Sequence, residues 1–129
     1  MRTHARIHHG SLAQTHVAIG LIQLGDCRHM AEKMNTVTDE KIERYLDITN
    51  RALKKIRVAA PDKSFNRRLA DSFLEMANCY YSDAKHFKEC GDIVTAFAAV
   101  NYAHAWLDCG ARIGLFDVDG DDVLFTLFE

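Results

Sequence analysis

From Thr38 to Ile113 apolar residues recur at intervals of three and four positions, and the pattern is interrupted at Pro61 and at Gly91. That spacing is the helical one, and a stripe built on it must be buried against other stripes. Proline stops a helix because it lacks an N–H and clashes with the preceding turn; glycine stops one because it enters the left-handed region without a side-chain penalty. Two interruptions predict three helices, at about 38–58, 64–90 and 92–113.

Each predicted helix carries its own start and stop signals. Thr38 suits the first N-cap, with Asp39 and Glu40 at the positive end of the helix dipole and Lys54, Lys55 and Arg57 at the negative end. Ile42, Tyr45, Leu46, Thr49, Ala52, Leu53 and Ile56 form its buried stripe. Ser64 or Asp62 caps the second helix, whose broad apolar face runs from Leu69 and Ala70 through Phe73, Ala77, Tyr80 and Ala84 to Phe87. Asp92 caps the third, in which Ile93, Ala96, Phe97, Val100, Ala103, His104, Leu107 and Ala111 make one face and Ala99, Tyr102, Trp106 and Ile113 a second. A helix that is apolar on two sides needs two neighbours, either both inside the bundle or one outside it. Helices of about 21 to 25 residues, roughly 30 to 38 Å long, match one another in an antiparallel up-down-up bundle. The fold class is therefore all-α: a three-helix bundle over residues 34–129, closing with an acidic turn and an apolar tail at 114–129.

Residues 1–33 differ, holding five of the seven histidines around one apolar run, VAIGLIQL at 17–24. They read as an irregular or partly helical, flexible extension. The run is shorter than the about 20 residues a membrane span needs, and Asp26 stands where a lipoprotein cleavage box requires a small residue. His4 and His8 have the spacing of helical metal ligands, but no carboxylate accompanies them before Asp26. Cys27, Cys79, Cys90 and Cys109 include no CxxC pair and outline neither a zinc site nor a disulfide framework, which fits the cytoplasm. A net charge of -2 supplies no global attraction to nucleic acid or membrane.

Local features are more informative. FDVDGDD at 116–122 places Asp117, Asp119 and Asp121 at alternate positions, as a calcium loop does, but the glycine and terminal glutamate of such a loop fall on Asp122 and Phe128. The segment reads instead as an acidic Asp-Gly turn that sends Val123 to Phe128 back onto the bundle. His104, flanked by Asn101 and Asp108, reads as a buried structural histidine rather than an acid-base catalyst. Arg51, Lys54, Lys55, Arg57, Lys63, Arg67 and Arg68 gather at the pole around Pro61, with Asp62 the acid among them. Such a pole suits a phosphate group, or it is a solvated face. An up-down-up course brings the end of helix three to the same pole, so Asp117, Asp119, Asp121 and Asp122 are expected near some of those cations.

The runs IERYLDITNRALKKIRVAAP and FLEMANCYYSDAKHFKECGDIVTAFAAVNYAHAWLDCGARIGLFDVDGDD resemble the archaeal domain of unknown function family 357 over residues 38–126, most specifically in NYAHAWLDCGARIGLFDVDGDD. The resemblance implies a small helical bundle and assigns no activity and no catalytic residue. YYSDAKHFKECGDIVTAFAAVNYA also resembles one tetratricopeptide hairpin, but a lone repeat cannot bury its own face. No nucleophile with a base, Gly-rich phosphate loop or HExxH occurs.

The sequence thus points to a non-enzymatic interaction module without cofactor or metal. It self-associates or binds a protein through the row Ala99, Tyr102, Trp106 and Ile113, expected to be exposed. The alternative is an RNA or phosphate binder using Lys54, Lys55, Arg57, Lys63, Arg67 and Arg68.

Overall fold

Three helices form where the apolar period holds: α1 (Asp39–Lys55), α2 (Phe65–Glu89) and α3 (Ile93–Arg112). The structure, a computed structural model, describes residues 34–127. The expectations for the N-terminal extension, its histidines, Cys27 and VAIGLIQL, and for Phe128, lie outside the described residues. Thr38, Ser64 and Asp92 each accept a hydrogen bond from a backbone N–H three residues on, at 3.2, 3.0 and 3.0 Å. α2 and α3 both end in Schellman turns. Gly91 N–H bonds Lys88 O and Asp92 N–H bonds Phe87 O; Gly114 N–H bonds Ala111 O and Leu115 N–H bonds Gly110 O. Both glycines have the positive φ that this turn requires, 81° and 80°.

One boundary differs from expectation. α1 does not reach residue 58: its last helical residue is Lys55, Ile56 is already extended, and Arg57–Val58 form a short strand, β1. β1 pairs antiparallel with β2 (Phe116–Asp117), Arg57 opposite Asp117 and Val58 opposite Phe116. The next bond, Ala59 N–H to Leu115 O at 2.9 Å, continues the pairing. Ile56 and Val58 are β-branched and suit extended backbone, but the partner strand that decides the matter lies about 60 residues away.

α3 is the central helix. It packs on α2 along its length and on α1, whereas α1 and α2 touch little. The fully buried residues of α2 are Ala70, Ala77 and Ala84, spaced seven apart, and α3 buries a similarly small set, including Ala96, Ala99, Ala103 and Gly110. Small side chains let these two helices approach closely, while Phe73 packs against the core near Pro61 and Tyr81 and Phe87 against the core near Gly91. The core has two centres. Ile42, Tyr45, Leu46, Ala96 and Val100 fill the pole near Gly91. Ala52, Leu107, Leu115, Phe116, Leu124 and Phe125 fill the pole near Pro61, so the C-terminal segment supplies much of that second centre. No helix among the described residues is long and apolar enough to cross a membrane.

Candidate functional site

The basic pole is already engaged by the C-terminal segment. In that segment Asp119 and Gly120 both have positive φ, and Asp121 N–H closes the turn onto Val118 O at 3.1 Å, the conformation an Asp-Gly pair favours. Asp117 and Asp119 both accept from the Arg57 guanidinium, at 3.0 and 2.6 Å. These hydrogen bonds, to Asp119 first and then Asp117, raise the Arg57 pKa further above its ordinary value. Asp121 lies 2.9 Å from Lys55 Nζ. Its other oxygen accepts from Val123 N–H and Leu124 N–H. The bond from Leu124, and then Lys55, holds the Asp121 carboxyl below the usual carboxylate range. Asp117 is lowered as well, by the Asp119 N–H and then by Arg57.

The remaining cations are arranged differently. Arg67 bonds Asp71 and Asp62 within its own neighbourhood, at 2.9 and 2.7 Å, and not the tail. Arg68 lies over the Phe65 ring. Lys54 and Lys63 make no ion pair among the described residues, and neither does Asp122. Of the six cations assigned to an anion site, Lys55, Arg57 and Arg67 therefore hold carboxylates of the same chain, the first two those of the C-terminal segment.

Beneath the turn, His104 fastens the tail to the bundle. Its Nε2 lies 2.9 Å from Leu124 O. A carbonyl only accepts, so Nε2 carries the hydrogen and Nδ1 is left to accept from the Thr49 hydroxyl at 3.1 Å. Burial lowers the imidazole pKa, opposed by the nearby Asp108 carboxylate and by the bond to Leu124. Asp108 in turn accepts from Thr126 N–H at 2.9 Å and from its hydroxyl at 3.3 Å. Asn101 turns away to the Phe97 carbonyl. With both ring nitrogens bonded inside the fold, His104 is a structural side chain. Among the described residues no group of three or more His, Cys, Asp or Glu side chains is arranged to hold a metal ion.

The row Ala99, Tyr102, Trp106 and Ile113 is not uniformly exposed. α2 covers part of it: Trp106 packs edge-on against Phe73 and Tyr102 against Tyr80, with centroid separations of 5.0 and 4.4 Å, and Ala99 is buried. The Trp106 indole N–H is buried and has no hydrogen-bond partner among the described residues. Tyr102 and Ile113 remain exposed, and sequence reasoning missed the residues that accompany them. The exposed positions of α3 and its C-cap are Val94, Ala98, Tyr102, Ala105, Cys109 and Ile113, and none is charged. α1 and α2 by contrast expose charges such as Glu40, Glu43, Asp47, Arg68, Asp71 and Lys85. Beside this strip a groove of about 440 Å³ opens between α2 and α3, walled by Tyr80, Phe87, Ala98, Ala99 and Tyr102, with Asp83 its one charged residue. The signal for the strip was present in the sequence as Val94, Ala98, Ala105 and Cys109 in phase with Tyr102. Three of these are small, and all four lie outside the two assigned faces.

These features define a class: an all-α three-helix bundle whose C-terminal segment folds back, pairs with the α1–α2 connection and completes the core. The chain matches the profile of the family described as protein of unknown function (DUF357) over residues 44–116, more than half its length, and belongs to that family. No curated protein and no solved structure matches it.

Proposed function

We propose that the protein is a non-enzymatic helical interaction module that binds a protein surface through the outer face of α3. The observation that carries this reading is the absence of charge from every exposed position of α3, where the other two helices are richly charged. Depletion of charge with retention of an aromatic residue is the compositional mark of an interface centre, more than bulk apolarity is. Capture experiments with the wild type and with Tyr102→Glu test it. Proteins retained by the wild type, its own copies included, are to be lost with Tyr102→Glu and kept with Lys63→Glu. Equal capture by all three chains would remove α3 from the account.

The second reading is an RNA or phosphate binder at the basic pole, favoured by Lys54 and Lys63, which have no ion pair among the described residues, and by Arg68 beside them at the start of α2. It predicts RNA binding that falls steeply with salt and is lost with Lys63→Glu. Salt-insensitive capture dependent on Tyr102 favours the first reading.

A further inference from the structure

The exposed strip of α3 has a spacing that suits a second copy of itself. Val94, Ala98, Tyr102, Ala105, Cys109 and Ile113 succeed one another at intervals of four, four, three, four and four residues, a series that reads the same in both directions. Its midpoint falls between Ala103 and His104. A second α3 laid antiparallel across that midpoint sets Tyr102 against Ala105, Ala98 against Cys109 and Val94 against Ile113. The aromatic ring meets a small residue twice, small residues allow close approach on either side, and the two largest exposed aliphatic residues meet at the ends, where Val94 is 73% and Ile113 60% exposed. A contact around a two-fold axis brings each side chain close to its own copy or to that of its mirror position, so any charge near the axis would face a like charge. This strip has none. Resting on the reading of α3 as an interaction face, we propose that its partner is a second copy of this chain, bound with the two α3 helices antiparallel about a two-fold axis between Ala103 and His104.

The size of the patch agrees. A helix of 20 residues is about 30 Å long and about 10 to 12 Å across, and a neighbouring helix adds a width of about 8 to 10 Å, so α3 with the flank of α2 offers roughly 540 to 660 Å² in projection. Stable interfaces begin at about 600 Å² per partner. α3 by itself is too narrow, which gives the groove beside it a role. In this register the C-terminal half of the second α3 passes alongside Thr95 to Tyr102, where Tyr80 and Phe87 of α2 stand ready to flank it.

Cysteine chemistry tests the register, because Cys109 is exposed and lies within the strip. In a full chain with Cys27, Cys79 and Cys90 changed to serine, Ala98→Cys creates a thiol opposite Cys109 of the second copy. Mild oxidation is expected to give a covalent dimer from this chain. Neither Cys109 alone nor Ala98→Cys with Cys109→Ser should give one, since equivalent positions are 11 residues apart along the two helices, about 16 Å, beyond disulfide reach. A covalent dimer from Cys109 alone would mean a parallel or shifted contact and would overturn the proposal. So would a chain that sediments as a dimer yet forms no link with both thiols present, although the reading of α3 as an interaction face would stand. A monomer whose α3 face still captures another protein also overturns the proposal and leaves that reading intact. A monomer with no capture that depends on Tyr102 ends both.

Discussion

His104 joins three separate parts of the chain: Thr49 on α1, its own helix α3, and the Leu124 carbonyl of the tail. His104→Leu keeps an apolar group of similar size but leaves the Thr49 hydroxyl and the Leu124 carbonyl buried without that partner. At about 1 to 3 kcal/mol for each such group, the expected loss is about 2 to 6 kcal/mol in denaturant unfolding. The same variant should alter the pH response. Burial lowers the folded-state pKa of His104 below its ordinary 6.5, so the unfolded chain takes up a proton that the folded chain resists. The stability this contributes is present above that pH and is lost as pH falls through and below it. Melting temperatures measured across this range should decline for the wild type and decline less for His104→Leu. Asp117 and Asp121, lowered from 3.8, begin to lose their contributions only in more acid solution, so the two losses set in at different pH. Gly110 is a second residue with a single permissible size, because a Cβ there would overlap the Phe116 ring. Gly110→Ala should destabilise by about 1 to 3 kcal/mol through overpacking, reversing the gain of up to about 1 kcal/mol that alanine gives in an open helix. Phe116→Leu in the same chain should relieve part of the loss. The burial of His104 was legible from its place on the apolar face. Its partners were not, since Asn101 and Asp108 one turn away were the nearest polar groups in sequence and the true ones lie 55 and 20 residues distant.

The three helices were legible because their apolar period, caps and terminating glycines agree with one another. The strands were not, for each has two residues, and pairing depends on a register that only the folded bundle sets. The tail was legible in part: charge placed Asp117 to Asp122 near the basic pole, but gave no means of choosing Lys55 and Arg57 over Lys63, Arg67 and Arg68. The choice follows from β1, which holds Arg57 directly opposite Asp117. Exposed ion pairs contribute little in water, whereas Phe125 is fully buried in the core near Pro61. Phe125→Ala should therefore cost about 3 to 5 kcal/mol. Changing Asp117, Asp119, Asp121 and Asp122 together to asparagine should cost far less. Lys55 and Arg57 would then be released, and binding of phosphate-rich ligands at the pole should strengthen. Thermal melts and phosphate titrations of the two variants separate the apolar anchor from the charge that directs it.

At the level of the whole molecule, α3 mediates most of the organisation. One side meets α1, another the alanine seam of α2, and the tail closes over its C-terminal half through His104, Asp108 and Gly110. We propose that the domain begins at Met34. A chain starting there should retain its helicity and a single cooperative melt, and a molten product would show that residues 1–33 are needed. What remains of α3 is its charge-free outer strip, and the central claim is that this strip joins two copies of the chain. The most direct measurement is sedimentation of the wild type and Tyr102→Glu over a wide concentration range in low and high salt. The account predicts a wild-type dimer that persists in high salt, because apolar contact is not screened, and a folded monomer for Tyr102→Glu. A wild type that stays monomeric at the highest concentration, or a dimer that high salt dissociates and Tyr102→Glu leaves intact, would contradict it.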